Sequence, residues 1–88
     1  MKFVAEIDIM PHKELLDPQG KAVVNNLGHL DLKGVNEVRI GRHVSMTLDA
    51  ATEAEARQTV DTACQKLLAN MIVETYHFEL TALAASQS

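Results

Sequence analysis

Residues 35–48 alternate between apolar and polar side chains without changing phase, and this run constrains the fold more than any other feature of the sequence. The odd positions from 37 to 47 carry polar side chains or glycine, and Arg42 is the only interruption among the even positions from 38 to 48. A period of two predicts a β-strand with one buried face. The apolar members are Val38, Ile40, Val44, Met46 and Leu48.

A hairpin that turns at Gly41-Arg42 is the obvious alternative, but the phase of the pattern argues against it. A two-residue turn sets Ile40 opposite His43, and directly opposed residues share a face, so the apolar face is interrupted on one arm. A three-residue loop restores the phase but favours glycine at the position of His43. A single continuous strand over residues 35–48 therefore fits the pattern best.

Such a strand is too long for the domain that contains it. Residues 35–48 span about 46 Å at roughly 3.3 Å per residue. A compact chain of 88 residues has a radius of gyration of about 12 Å and a diameter of about 30 Å. We therefore expect the strand to extend beyond its own domain and to pair with another chain.

Two helices and two further strands are predicted around this run. Residues 3–10 alternate with the odd positions apolar, which predicts a first strand. Asp17 followed by Pro18 is typical of a helix start, and this helix is predicted to end at Gly28.

The second helix is predicted to begin with a capping box at residues 52–55 and to end at Asn70. Its apolar side chains recur at helical spacing: Ala56, Val60, Ala63, Cys64, Leu67 and Leu68. A last strand follows, with one face formed by Ile72, Tyr76, Phe78 and Leu80.

The order strand, helix, long strand, helix, strand predicts an α+β fold. If the long strand counts as two, the order becomes that of a ferredoxin-like fold, with two helices on one face of an antiparallel sheet. An open middle strand would contribute its halves to two sheets, which predicts a strand-exchanged dimer. We expect one domain over residues 1–81 and a flexible tail over residues 82–88.

Composition and charge exclude several classes of protein. The formal net charge of -4 disfavours nucleic acid and anionic membranes as partners. The chain has one cysteine, charged residues near its start and no apolar run long enough to span a membrane, so we expect it in a reducing cytoplasm.

No set of side chains predicts catalysis, a cofactor or a metal site. Cys64 lies on the apolar face of the second helix without a base nearby, which is typical of a buried core cysteine. The acidic pair Glu6 and Asp8 lies on the solvent side of the first strand. Metal sites usually contain a local ligand pair, and the histidines are far apart in the sequence: His12, His29, His43 and His77.

Positive side chains concentrate around Gly41 in this otherwise acidic chain. They could contact an anion or phosphate, but pairing with carboxylates of a neighbouring chain is the favoured interpretation. Because Arg42 lies on the apolar face, it must emerge at an edge, cross an interface or meet a carboxylate. The predicted assembly interface is formed by Arg39, Gly41, Arg42, His43 and Val44.

Three segments together resemble the PurS subunits of phosphoribosylformylglycinamidine synthase. They are residues 16–23 with Leu27-Gly28, residues 35–42, and residues 64–70 followed by Glu74 and Tyr76. The resemblance extends to about residue 80. The sequence LDPQGKAV at the first helix and KLLAN at the end of the second are specific in combination.

This resemblance implies a non-catalytic small subunit of a purine-biosynthesis ligase. It implies a homodimer with exchanged segments, which could pair further into a tetramer and which bridges a glutaminase subunit and a large synthase subunit that uses ATP and magnesium. It also implies a part in channelling ammonia between them. The alternative function is a ferredoxin-like regulatory domain that binds an amino acid or nucleotide near Gly41.

Overall fold

The chain forms a three-stranded antiparallel sheet, and the computed structural model describes residues 1–13 and 17–83. The elements are β1 (Lys2–Pro11), α1 (Pro18–His29), β2 (Arg42–Asp49), α2 (Glu53–Ala63), a π-helical turn (Cys64–Leu68) and β3 (Glu74–Leu83). The strand order is β2-β1-β3. The α+β fold class predicted from the sequence is confirmed.

The core lies between the sheet and α2. The odd-numbered side chains of β1 are buried, as its alternation predicts: Phe3, Ala5, Ile7 and Ile9. Ala5, Ile7 and Ile9 pack against Val60 and Cys64 of the second helical segment. The register sets Ile7 opposite Val44 in β2 and opposite Phe78 in β3, so all three strands contribute to one apolar face.

Both helix starts follow their local signals. The Asp17 carboxylate accepts a hydrogen bond from the Gly20 amide at 3.0 Å. The Thr52 hydroxyl accepts one from the Glu55 amide at 3.2 Å. Helix α1 ends at His29, one residue beyond the predicted Gly28.

The end of the second helix differs from the prediction because the last turn is π-helical. The Ala69 amide donates to the Cys64 carbonyl at 2.9 Å, a bond between residues i and i+5. In this wider turn, Ala69 lies in the core cluster with Cys64, and Leu68 packs against that cluster. Leu67 points outward and is 82% exposed. The prediction that Leu67 packs in the core is therefore wrong. The helical segment also ends at Leu68 and not at Asn70.

The predicted strand over residues 35–48 is correct for only part of its length. Strand β2 begins at Arg42, and residues 33–41 belong to no helix or strand. They do not fold back on β2, so the hairpin alternative is also excluded. A strand needs a hydrogen-bonded neighbour, and within this chain β1 provides one only as far as Arg42.

Strand β3 is shifted relative to its prediction at both ends. It begins at Glu74, so Ile72 lies in the preceding turn and is 86% exposed. It continues to Leu83, so residues 82 and 83 belong to the sheet and not to the predicted tail. The rest of that tail, residues 84–88, lies outside the described residues.

Helix α1 and the residues after it extend away from the sheet. Helix α2 packs on β1, whereas α1 makes only slight contact with the strands. The chain measures 51 × 31 × 15 Å and has a radius of gyration of 17.1 Å, compared with about 12 Å for a compact chain of this length. The fold therefore has a packed part and a projecting part.

Candidate functional site

Arg42 stands at the end of the apolar face, opposite Ile9, as its position in the alternation predicts. Its guanidinium donates to both carboxylate oxygens of Glu74, at 2.5 and 2.9 Å, and to the Leu68 carbonyl at 2.6 Å. This paired geometry raises the pKa of Arg42 and lowers that of Glu74. Arg42 therefore meets a carboxylate at the sheet edge, one of the three expected outcomes.

His43 lies on the opposite, polar face of the sheet between two carboxylates of β1. Its ring nitrogens are 2.7 Å from Asp8 Oδ1 and 2.5 Å from Glu6 Oε2. The Ser45 hydroxyl donates to the other Glu6 oxygen at 2.9 Å. Hydrogen bonds to Asp8 and Glu6 raise the pKa of His43, and the bond from His43 lowers the pKa of Glu6.

The residues of the predicted assembly interface are neighbours in the chain, but they lie on different faces and have different contacts in the structure. The Arg39 guanidinium donates to the Pro11 carbonyl and not to a carboxylate. Val44 lies on the apolar face, and Gly41 touches the end of β1. Arg42 and His43 find their carboxylates within the same chain, so pairing with a neighbour is not required to neutralise them. Their part in assembly stays a prediction.

Asp17 has a second contact that the sequence did not reveal. Its Oδ1 caps α1 through Gly20, and its Oδ2 accepts from the Ile40 amide at 2.8 Å. The two amides hold the pKa of this carboxyl below its usual range. An N-cap is visible in the local sequence, but a partner 23 residues away has no local signal.

The backbone before β2 forms no hydrogen bond to other backbone groups in the part of the chain that the structure describes, although the Ile40 amide donates to Asp17. No backbone-to-backbone hydrogen bond there involves residues 33–41. The outer edge of β2 is also unpaired, because β1 is its only neighbour among the described strands. Exposed apolar side chains lie before this run, at Leu30 and Leu32, and within it, at Val35. Unpaired strand edges are templates for pairing with another chain.

A groove of about 520 Å³ between α1 and residues 36–39 is a candidate for the alternative, ligand-binding function. Its basic residues are Lys13, Lys21 and Arg39, but Asp17 and Glu37 line the same walls. Mixed charge of this kind does not select an anion, since the carboxylates oppose the attraction of the lysines and arginine.

Cys64 is fully buried, and burial raises the pKa of its thiol, which disfavours the reactive thiolate. Among residues 1–13 and 17–83, no group of three or more His, Cys, Asp and Glu side chains is placed to hold a metal. None of the helices described there is long and apolar enough to cross a membrane.

The fold and these contacts define a small α+β protein built for contact with other chains. The family model for PurS, phosphoribosylformylglycinamidine (FGAM) synthase, matches residues 4–82. The chain therefore belongs to the PurS family, the PurS subunits of a purine-biosynthesis ligase, as the resemblance implied. Membership of this family favours a synthase subunit over the ligand-binding regulatory domain.

Individual relatives agree with this assignment. The PurS subunit of phosphoribosylformylglycinamidine synthase from Synechocystis sp. PCC 6803 is 51% identical over 69 residues, which cover 78% of this chain and 69% of the relative. The structure of Bacillus subtilis PurS matches with a TM-score of 0.83 and 30% identity, covering 91% of this chain and 99% of that one. A chain of PurLQS from Thermotoga maritima matches with a TM-score of 0.85 and 26% identity, covering 92% of this chain and 99% of that one.

Proposed function

We propose that this chain is the non-catalytic assembly subunit of its phosphoribosylformylglycinamidine synthase. It forms a homodimer that bridges the glutaminase subunit and the large synthase subunit and helps ammonia pass between them. ATP and magnesium bind to the large subunit. The observation that carries this proposal is that residues 33–41, beside the open edge of β2, form no backbone-to-backbone hydrogen bond within the described chain.

The projecting shape supports the dimer. Exposed amides and carbonyls can be hydrated, but a run of unpaired backbone joined directly to an edge strand extends a sheet readily when a second chain supplies a partner. If residues 35–41 pair with a second copy, the phase that holds from residue 37 to residue 48 is preserved through Gly41. The long alternation in the sequence then has a physical reason that a single chain does not provide.

The contact with the other subunits rests on two further observations. The matching Thermotoga maritima chain belongs to a structure of PurLQS. Exposed apolar side chains also occur in the π-helical turn and in the turn before β3, far along the chain from residues 33–41: Leu67, Met71, Ile72 and Val73. A surface of this kind is typical of a protein contact.

Sedimentation of the purified chain tests the dimer. We expect a dimer, or a larger even assembly, at micromolar concentration, with dissociation on dilution. A chain that stays monomeric throughout this range contradicts strand exchange.

Reconstitution with the glutaminase and large subunits tests the bridging role. We expect glutamine-dependent turnover to need this chain, whereas turnover with added ammonia needs it much less, because free ammonia bypasses transfer between subunits. Equal dependence with both nitrogen donors contradicts a role in ammonia transfer.

A further inference from the structure

Residues 38–41, the crossing segment, pass between the start of α1 and the end of β1. The Asp17 carboxylate joins two backbone donors that are distant in sequence, with Gly20 at 3.0 Å and Ile40 at 2.8 Å. The same side chain therefore caps a helix and holds the crossing segment against it. A serine or asparagine caps a helix about as well as aspartate, but each has only one acceptor oxygen in its side chain.

Gly20 makes the second contact between α1 and the crossing segment. It is the only buried residue of α1. A β-carbon at this position would overlap the Val38 carbonyl oxygen. Glycine is among the least favourable residues inside a helix, so its presence here is explained by the close approach of Val38. Gly28 in the same helix differs, because a β-carbon there would meet nothing.

The other side of the crossing segment is held by β1. A β-carbon at Gly41 would overlap the Ile9 carbonyl oxygen. The Arg39 guanidinium donates to the Pro11 carbonyl. The segment is thus fixed on both sides immediately before β2, although residues 33–37 beyond it have no backbone partner among the described residues.

We propose that Asp17 and Gly20 form a seat that sets the direction in which residues 33–37 leave the sheet, and thereby the geometry of contact with a second copy of this chain. The inference rests on the proposed dimer and assigns it two positioning residues. Holding a strand in its bound direction before association lowers the entropy lost on binding. The DPQG sequence at residues 17–20 then serves assembly as well as helix initiation.

Two glycine substitutions in α1 separate the effect of the seat on dimerisation from the effect of helix stability. Both G20A and G28A replace glycine with a better helix former. We expect G28A to leave the dimer dissociation constant unchanged. We expect G20A to raise it by about tenfold or more, because the added methyl group displaces Val38. Sedimentation gives the constant, and far-UV circular dichroism checks that each variant is folded.

Two cap substitutions provide an independent test. In D17N the capping oxygen remains, but an amide group faces the Ile40 amide and cannot accept its hydrogen bond. We expect dimer affinity to fall by about five- to tenfold. The matched control is T52N, which exchanges one good N-cap for another at α2 and should leave the affinity unchanged.

The outcomes distinguish the seat from the dimer itself. If the wild-type chain is dimeric and G20A and D17N dimerise with unchanged affinity, the seat is overturned. The proposed function is then unaffected. A monomeric wild-type chain overturns the dimer, and the seat with it. Weaker association of G20A and D17N, with G28A and T52N at the wild-type value, supports the seat.

Discussion

The sheet with α2 and the arm, residues 18–41, differ in how they bury apolar side chains. The sheet part has a continuous core in which Ile7, Val60 and Cys64 are fully buried. The arm has one buried residue, Gly20, and it leaves Leu30 and Leu32 exposed. One part of the chain therefore has a hydrophobic core of its own, whereas the other has none.

This difference indicates that the two parts gain their stability from different sources. An isolated helix of 12 residues is marginal in water, and most helices are stabilised by packing of one face. In α1 that face consists of half-buried Val23, Val24 and Leu27. We infer that the arm is stabilised by the second copy, so its order depends on protein concentration.

The largest expected effect is in the core of the sheet. Ile7→Ala removes a fully buried side chain from the central strand and should lower the free energy of unfolding by about 2–5 kcal/mol. The matched substitution in the arm, Leu27→Ala, should lower the free energy of unfolding by only about 1 kcal/mol. It should, however, weaken the dimer. Urea unfolding and sedimentation measure the two quantities. Equal losses of folding free energy would contradict the division into two parts.

Adjacent proline substitutions in the arm test the unpaired backbone directly. Successive residues of a strand direct their N–H groups to opposite sides, so only alternate residues bond to one neighbour. Of Asn36→Pro and Glu37→Pro, one should weaken the dimer about tenfold or more and the other far less. Sedimentation of both variants decides between them.

The monomer fold should tolerate either proline, because neither amide has a backbone partner within the described chain. Circular dichroism provides that control. If both prolines leave the dimer intact, residues 33–41 do not pair as a strand.

Local patterns predicted β1 and the starts of both helices well. The alternation of β1 identifies its buried face, and Asp17 and Thr52 identify both helix starts. These features depend on residues at most a few positions apart, which periodicity and capping chemistry describe. The alternation of residues 35–48 placed Arg42 on the apolar face, and the register, which sets Arg42 opposite Ile9, confirms this position.

Features that depend on distant contacts could not be predicted in the same way. The π-helical turn at Cys64–Leu68 shifts Leu67 out of the core, and no local sequence motif predicts this turn. The start of β2 at Arg42 depends on where the chain before it leaves β1, although β1 itself continues to Pro11. The Ile40 contact of Asp17 depends on how two segments cross. In each case tertiary packing overrides the local pattern.

Arg42 and Glu74 join the beginning of β2 to the beginning of β3, and they provide a smaller test of the sheet part. Their bidentate geometry should give a coupling of about 1 kcal/mol in a double-mutant cycle of Arg42→Leu and Glu74→Gln. The matched control is the surface pair Glu53 and Arg57, 3.6 Å apart, with a coupling below about 0.5 kcal/mol. Equal couplings would mean that the Arg42 pair is no more than a surface pair.

The smallest expected effect is the pH dependence of the exposed His43 cluster. The pKa of His43 is raised above 6.5 by Asp8 and Glu6. Its contribution to stability is therefore complete below pH 6.5 and is lost as pH rises through the raised pKa. The pKa of Glu6 is lowered from 4.5 by His43 and Ser45, so its contribution is complete above pH 4.5 and is lost as pH falls through the lowered pKa.

The two contributions overlap between pH 4.5 and 6.5. We expect the difference in melting temperature between the wild-type chain and His43→Gln to be greatest in this window and to shrink on both sides. In a Glu6→Gln/Asp8→Asn background the same substitution should give a difference that does not depend on pH, because the ring has lost both carboxylates. A pH-independent difference in the wild-type background would show that the charges of the cluster do not stabilise the sheet.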